Sequence, residues 1–205
     1  MMRRYLLVLA AGLVLSGAGA NAAPPKTDPD WPCKQRLVPE LTAATFWSGP
    51  PLPADRDWHA DARAASEVAA VAPRDVALED GIAHLSHFSE KLKQSERNTI
   101  LPQVFLGIVE ETNRQRAEII STIKDLVRRQ RALGDTVAKI TTELEDNAAT
   151  SDGDAAQRRD EITQRRAFVI RSFEETERTM RYACEVPVDL EARLGGYAQV
   201  IEKHL

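Results

Sequence analysis

The chain has 205 residues, with 27 Lys and Arg against 31 Asp and Glu and a formal net charge of −4. A mildly acidic balance excludes the basic footprint that nucleic-acid binding needs. Hydrophobic residues make up 43% but aromatics only 5%, which allows one folded domain whose core is built mainly from Leu, Ile, Val and Ala.

The first expected element is a leader. Arg3 and Arg4 precede an apolar run from Leu6 to Leu15, and Ala20-Asn21-Ala22 has the small-x-small form of a cleavage site, so residues 1–22 read as a secretory signal peptide. The mature chain is then expected to begin near Ala23 and to reside in the periplasm. The leader's apolar stretch is too short to span a bilayer, and no later segment is long and uncharged enough to do so.

Residues 23–54 read as an extended proline-rich arm. Asp28-Pro29-Asp30-Trp31-Pro32-Cys33 and Trp47-Ser48-Gly49-Pro50-Pro51-Leu52-Pro53 carry too many prolines for continuous helix. Trp31 and Trp47 each hold a large apolar area that favours laying the arm along helices. Pro50 and Pro51 with Pro53 also fit a PxxP ligand, so Trp31, Trp47, Pro50 and Pro51 are the candidate interaction residues of the arm. Cys33 and Cys184 are the only cysteines, and in an oxidising compartment they are expected to pair. Closing so long a loop stabilises the fold by on the order of 5 kcal/mol on the chain-entropy model. The absence of C-x-x-C makes this a structural staple rather than a redox centre.

Residues 55–205 read as a helical bundle. A short alanine-rich helix over Trp58 to Val71 is stopped by Pro73, and Asp75 is positioned to cap the next. In that second helix Leu78, Ile82, Leu85, Ser89 and Leu92 lie within about 80° of one another at about 100° per residue, which defines a buried stripe. A break or kink is expected between Gln94 and Pro102. The pattern from Leu101 to Leu144 is that of a long amphipathic helix, with Phe105, Ile108, Thr112, Ile119, Ile123, Leu126, Gln130, Leu133, Val137, Ile140 and Leu144 on one seam.

A polar turn over Asn147 to Asp154 returns the chain into a helix with Ile162, Val169, Phe173, Thr176, Met180 and Ala183 on its apolar face. The two helices form an antiparallel hairpin. A turn centred near Thr150 and Ser151 sets Ile140 by Ile162, Leu133 by Val169, and Arg128 and Arg129 near Glu174 and Glu175. A last helix follows Pro187, with Leu190, Leu194, Tyr197, Ile201 and Leu205 at helical spacing and Gly195-Gly196 as its weak point. The expected fold is therefore all-α: an elongated antiparallel helical bundle with a long coiled-coil-like hairpin and an extended N-terminal arm.

Asp80, His84 and His87 form the one metal-like spacing, because histidines three apart on a helix can share an ion. Relative to the buried stripe, however, His84 points about 120° away and His87 almost opposite, which is the geometry of a solvated face. Adjacent carboxylates such as Glu110-Glu111, Asp160-Glu161 and Glu174-Glu175 diverge by about 100° and cannot act on one atom. No nucleophile elbow, glycine-rich phosphate loop or C-x-x-C-H motif is present, so neither catalysis nor a cofactor is expected.

Trp31-Pro32-Cys33-x-Gln35-Arg36-x-Val38-Pro39-x-Leu41, Trp47-x-Gly49-Pro50-x-Leu52-Pro53 and Tyr182-x-Cys184-Glu185-x-Pro187 together resemble a family of uncharacterised secreted helical proteins of Gram-negative proteobacteria. The resemblance covers most of the mature chain and implies that the arm and both cysteines form one structural unit. It implies no activity. The expected function is a non-catalytic periplasmic scaffold or protein-interaction protein, docking a protein partner or itself. The alternative is a small-molecule or metal binding or sensing protein, with a site beside His84 and His87 or near Pro102.

Overall fold

A computed structural model describes residues 28–53, 57–148 and 153–205. The leader and its cleavage site, the start of the arm and the centre of the hairpin turn lie outside the described residues. The described chain is all-α: a one-turn helix α1 (Ala43–Phe46), a 3-10 turn (Trp58–Ala60), then α2 (Ala62–Val71), α3 (Leu78–Lys91), α4 (Gln94–Ala148), α5 (Ala155–Ala183) and α6 (Val186–Glu202).

Local chemistry sets these boundaries. Asp61 caps α2 by accepting a hydrogen bond from the Arg63 backbone N–H at 2.8 Å. Asp75 does not cap α3. That helix begins after Ala77 without a side-chain cap and carries Glu79 and Asp80 in its first turn, where their charge suits the positive end of the helix. Leu92 is extended and ends α3. The Glu96 carboxylate then accepts the Lys93 backbone N–H at 3.3 Å, half of a capping box that starts α4.

The expected break between Gln94 and Pro102 is therefore displaced. It falls at Leu92, and α4 runs unbroken through Pro102. Proline removes the N–H that would have bonded the Asn98 carbonyl, but its ring is fully buried in the core, so tertiary packing holds the helix across it. Pro187 sits in the first turn of α6, where a missing N–H costs nothing. Gly195 and Gly196 do not interrupt α6; Gly196 lets Leu78 approach to 3.4 Å of where its Cβ would stand.

The core sits at one end of the molecule. It gathers Leu41 and Ala43 of the arm, Trp58, Val68 and Val71, Leu85 and Leu92 of α3, the stretch Ile100–Val109 of α4, and Leu194, Tyr197 and Ile201 of α6. Gly107 is buried here because a Cβ would come within 2.6 Å of Val68 and 2.7 Å of Trp58. From this head α4 continues to Ala148 and pairs with α5, forming a two-helix rod.

Of the predicted seams Phe105, Ile108, Thr112, Ile123, Ile140, Ile162 and Thr176 are buried, whereas Ile119 and Leu126 are only half-buried and their neighbours Ile120 and Val127 take the buried positions. The register differs from the expected one by more than a turn. Arg166 donates to Thr141 Oγ1 at 3.1 Å, Arg165 pairs with Glu143, and Phe173 lies 3.7 Å from a Cβ built on Gly134. Arg128 accordingly does not meet the glutamates of α5. It pairs with Asp125 one turn away and with Asp30 of the arm at 3.3 Å.

Candidate functional site

The part of the molecule with the most unusual construction is the base of the rod, where the arm is clamped across α4 and the start of α6. Cys33 and Cys184 form a disulfide with Cα atoms 5.5 Å apart. Around it, the Gln35 side-chain amide donates to the Cys184 carbonyl, and the Trp31 indole N–H donates to the Gln35 carbonyl at 2.8 Å. Asp28 is paired with Lys124 at 2.7 Å, an interaction that lowers the carboxyl pKa below its usual value. Asp30 holds Arg128 and Arg131.

Deeper in the clamp, Arg116 is only 3% exposed and donates to two backbone carbonyls, Val38 of the arm and Pro187 of α6, at 2.6 Å each. Burial depresses its pKa, opposed by the nearby charge of Glu191. Asn113 offers the Leu41 backbone both partners a strand would, accepting its N–H at 2.8 Å and donating to its carbonyl at 2.9 Å. Trp47 stacks on Phe105 with ring centroids 4.7 Å apart, and its indole N–H donates to the Pro50 carbonyl at 2.6 Å. Ser48 donates from backbone and hydroxyl to Glu202.

Of the arm residues singled out from sequence, Trp31 and Trp47 are thus engaged by the chain itself, while Pro50 and Pro51 are exposed. An open groove of about 610 Å³ lies against the disulfide, between Pro32 and Gln35 on one side and Met180 and Val188 on the other.

Asp80, His84 and His87 are all exposed on α3. The Nδ1 of His84 lies 3.0 Å from the Glu67 carboxylate of α2. Glu67 is 4% exposed, and its pKa is raised by desolvation, partly offset by the hydrogen bond and charge of His84 and by the charge of His87. Among the described residues no three His, Cys, Asp or Glu side chains gather as a metal site. Glu110 and Glu111 diverge as expected, the first accepting the Trp58 indole N–H at 3.0 Å and the second pairing with Arg114 at 2.8 Å.

Sequence reasoning missed Glu67, Arg116 and Arg193. The Arg193 guanidinium donates to the carbonyls of Val71, Pro73 and Val76 at 2.6 to 3.0 Å, satisfying the exposed carbonyl end of α2. All three are charged residues in register with the buried stripes of their helices, Glu67 three residues after Ala64, Arg116 four after Thr112 and Arg193 three after Leu190, where a charge reads as an interruption of the apolar pattern. The only available signal was their spacing from apolar neighbours. Among the described residues no helix is long and apolar enough to cross a membrane.

Compared with protein-family models, curated proteins and solved structures, the chain matches none.

Proposed function

We propose that the protein is a non-catalytic periplasmic scaffold that presents a rigid helical rod to a protein partner. The observation that carries this reading is the division of labour along α4. Its first turns build the core with α2, α3 and α6, whereas beyond Arg131 its described partners lie on α5: Phe173, Arg166, Arg165 and Arg159. That stretch of α4 adds a projection of roughly 25 Å.

A two-helix projection buries little of its own surface and costs chain entropy to hold in place. The fold commits a disulfide, a buried arginine and at least three acid–base pairs of the arm to fixing its base. Such reinforcement suits an element whose direction must be kept. The periplasmic assignment rests on the leader-like residues 1–22 and on the pairing of the only two cysteines. The family resemblance of the arm and cysteine motifs fits the same unit.

The test is site-specific photo-crosslinking in living cells, with the crosslinking residue at Lys139 on the rod or at Arg74 on the head, both exposed. The reading expects a discrete protein adduct from Lys139, its partner peptide identified by mass spectrometry, and none from Arg74. Adducts from the head alone would contradict it.

A further inference from the structure

Opposite its inner seam, α5 carries a second regular stripe that the fold leaves unused. Positions 157, 161, 164, 168, 171, 175, 178 and 182 recur at alternating steps of four and three, the spacing of coiled-coil contact positions, and all are exposed. Phe168 is 64% and Tyr182 63% exposed. Within α5 the stripe makes only exposed hydrogen bonds one turn apart, Gln157 Nε2 to Glu161 at 3.1 Å and Gln164 Nε2 to Asp160 at 2.7 Å, which exchange readily for contacts to a second copy, and most of its charges are unspent. Arg165 and Arg181 at its flanks pair with Glu143 and Glu177, yet among the described residues Arg171, Glu175 and Arg178 form no ion pair.

We propose that this stripe is the contact between two copies of the chain, with their α5 helices antiparallel about a two-fold axis between Val169 and Ile170. The inference rests on reading the rod as a docking element and names its occupant. An antiparallel coiled coil sets each a position against a d position of its neighbour. With the axis half a residue from the middle of Ala155–Ala183, the helices overlap along nearly their whole length and the stripe becomes self-complementary. Arg178 meets Glu161 of the second copy, Arg171 lies over the ring of Phe168, Glu175 accepts from the Gln164 amide, and Tyr182 meets Gln157.

Each contact occurs twice, as an isologous interface requires, and no like charges stand opposite one another. Parallel pairing sets Arg171 against Arg171 and Glu175 against Glu175, and is disfavoured by that repulsion. Only two aromatic anchors per copy are available, with cation–π and ion-pair contacts supplying the remainder. The contact is therefore a reversible, salt-sensitive dimer rather than an obligate one.

Sedimentation velocity on the oxidised protein, over a concentration series at low and high salt, tests this. A monomer–dimer equilibrium weakened by salt is expected. Arg178→Glu sets two glutamates against each other twice and raises the dimer dissociation constant by roughly tenfold or more. Combining it with Glu161→Arg reverses both partners and restores association. Because both positions are exposed, unchanged helicity by circular dichroism is expected for each variant. A monomer at every concentration, or a dimer indifferent to Arg178→Glu, overturns the proposal. A monomer that still gives a discrete adduct to a different protein from Lys139 overturns only the self-association, whereas loss of both removes the docking reading with it.

Discussion

Asn113 and Leu41 form a two-point bond, side-chain amide to backbone amide, at 2.8 and 2.9 Å across 72 positions of sequence. In the middle of an all-helical molecule this asparagine does what a neighbouring strand does elsewhere, giving an extended segment a partner for both its donor and its acceptor. Leu41 is consequently buried in the core, and the arm is integral to the fold. Asn113→Leu leaves the Leu41 amide without partners in a half-buried site and is expected to cost about 1–3 kcal/mol. Limited proteolysis reads the effect directly: cleavage within the arm should precede cleavage of the helices in the variant, and equal protection in variant and wild type would show that the bond does not hold the arm.

The disulfide acts on the same segment through chain entropy. Cys33→Ser is expected to lower the melting temperature of the oxidised protein to near that of the reduced wild type, a loss of up to about 5 kcal/mol, while leaving reduced protein little changed. Equal melting of oxidised wild type and variant by calorimetry would contradict this.

Two glycines of the helices are predicted to respond in opposite senses. A Cβ on Gly81 would fall 2.1 Å from the Tyr197 hydroxyl, which is fixed by its hydrogen bond to the Val71 carbonyl at 3.0 Å. Gly81→Ala therefore forces α3 and α6 apart and should destabilise by about 1–3 kcal/mol. At Gly134 the nearest atom, of Phe173, stands 3.7 Å away, so Gly134→Ala gains helix propensity without a clash and should stabilise by about 0.5–1 kcal/mol. Denaturant titration of both variants checks the pair, and a shift of the same sign in both would refute the geometry.

The buried Glu67, paired with the exposed His84, predicts a pH dependence. Desolvation raises the Glu67 pKa above its usual value of 4.5, so the folded state holds the Glu67 proton more tightly than the unfolded chain does. The stability this contributes is fully present below 4.5 and is lost as pH rises through the raised folded value. The melting temperature of wild type minus that of Glu67→Gln should then fall with increasing pH across this window. A difference that grows with pH would mean that the ion pair to His84 outweighs the cost of burial.

Sequence made the inner faces of the helices legible because burial and periodicity coincide there. Leu85, Ser89, Ile123, Ile162 and Ile201 were all found from spacing alone, and all are buried. The start of α4 was not legible, since a proline ordinarily ends a helix and only the tertiary contacts of Pro102 show why this one does not. Nor was the hairpin register, which a one-turn error in locating a polar turn shifts throughout.

The clamp was half legible. Prolines and cysteines marked the arm and its anchor, but Arg116 and Asn113 meet it through backbone carbonyls and amides, which leave no complementary residue in the sequence to find. The Asp80, His84 and His87 spacing shows the reverse: a pattern suggestive in sequence places Asp80 as a helix-end charge, while His84 pairs with Glu67, whose carboxyl also feels the charge of His87, and among the described residues no metal-holding cluster forms.

The most direct test of the scaffold reading is native mass spectrometry of the natively purified protein, prepared without chelator, since one spectrum reports subunit count, disulfide state and bound mass. The account predicts protein-only species, each chain lighter than its reduced form by the hydrogens lost to one disulfide, either as a monomer–dimer mixture or in complex with another protein. A stoichiometric metal or small-molecule adduct would contradict it and assign the protein to ligand binding instead.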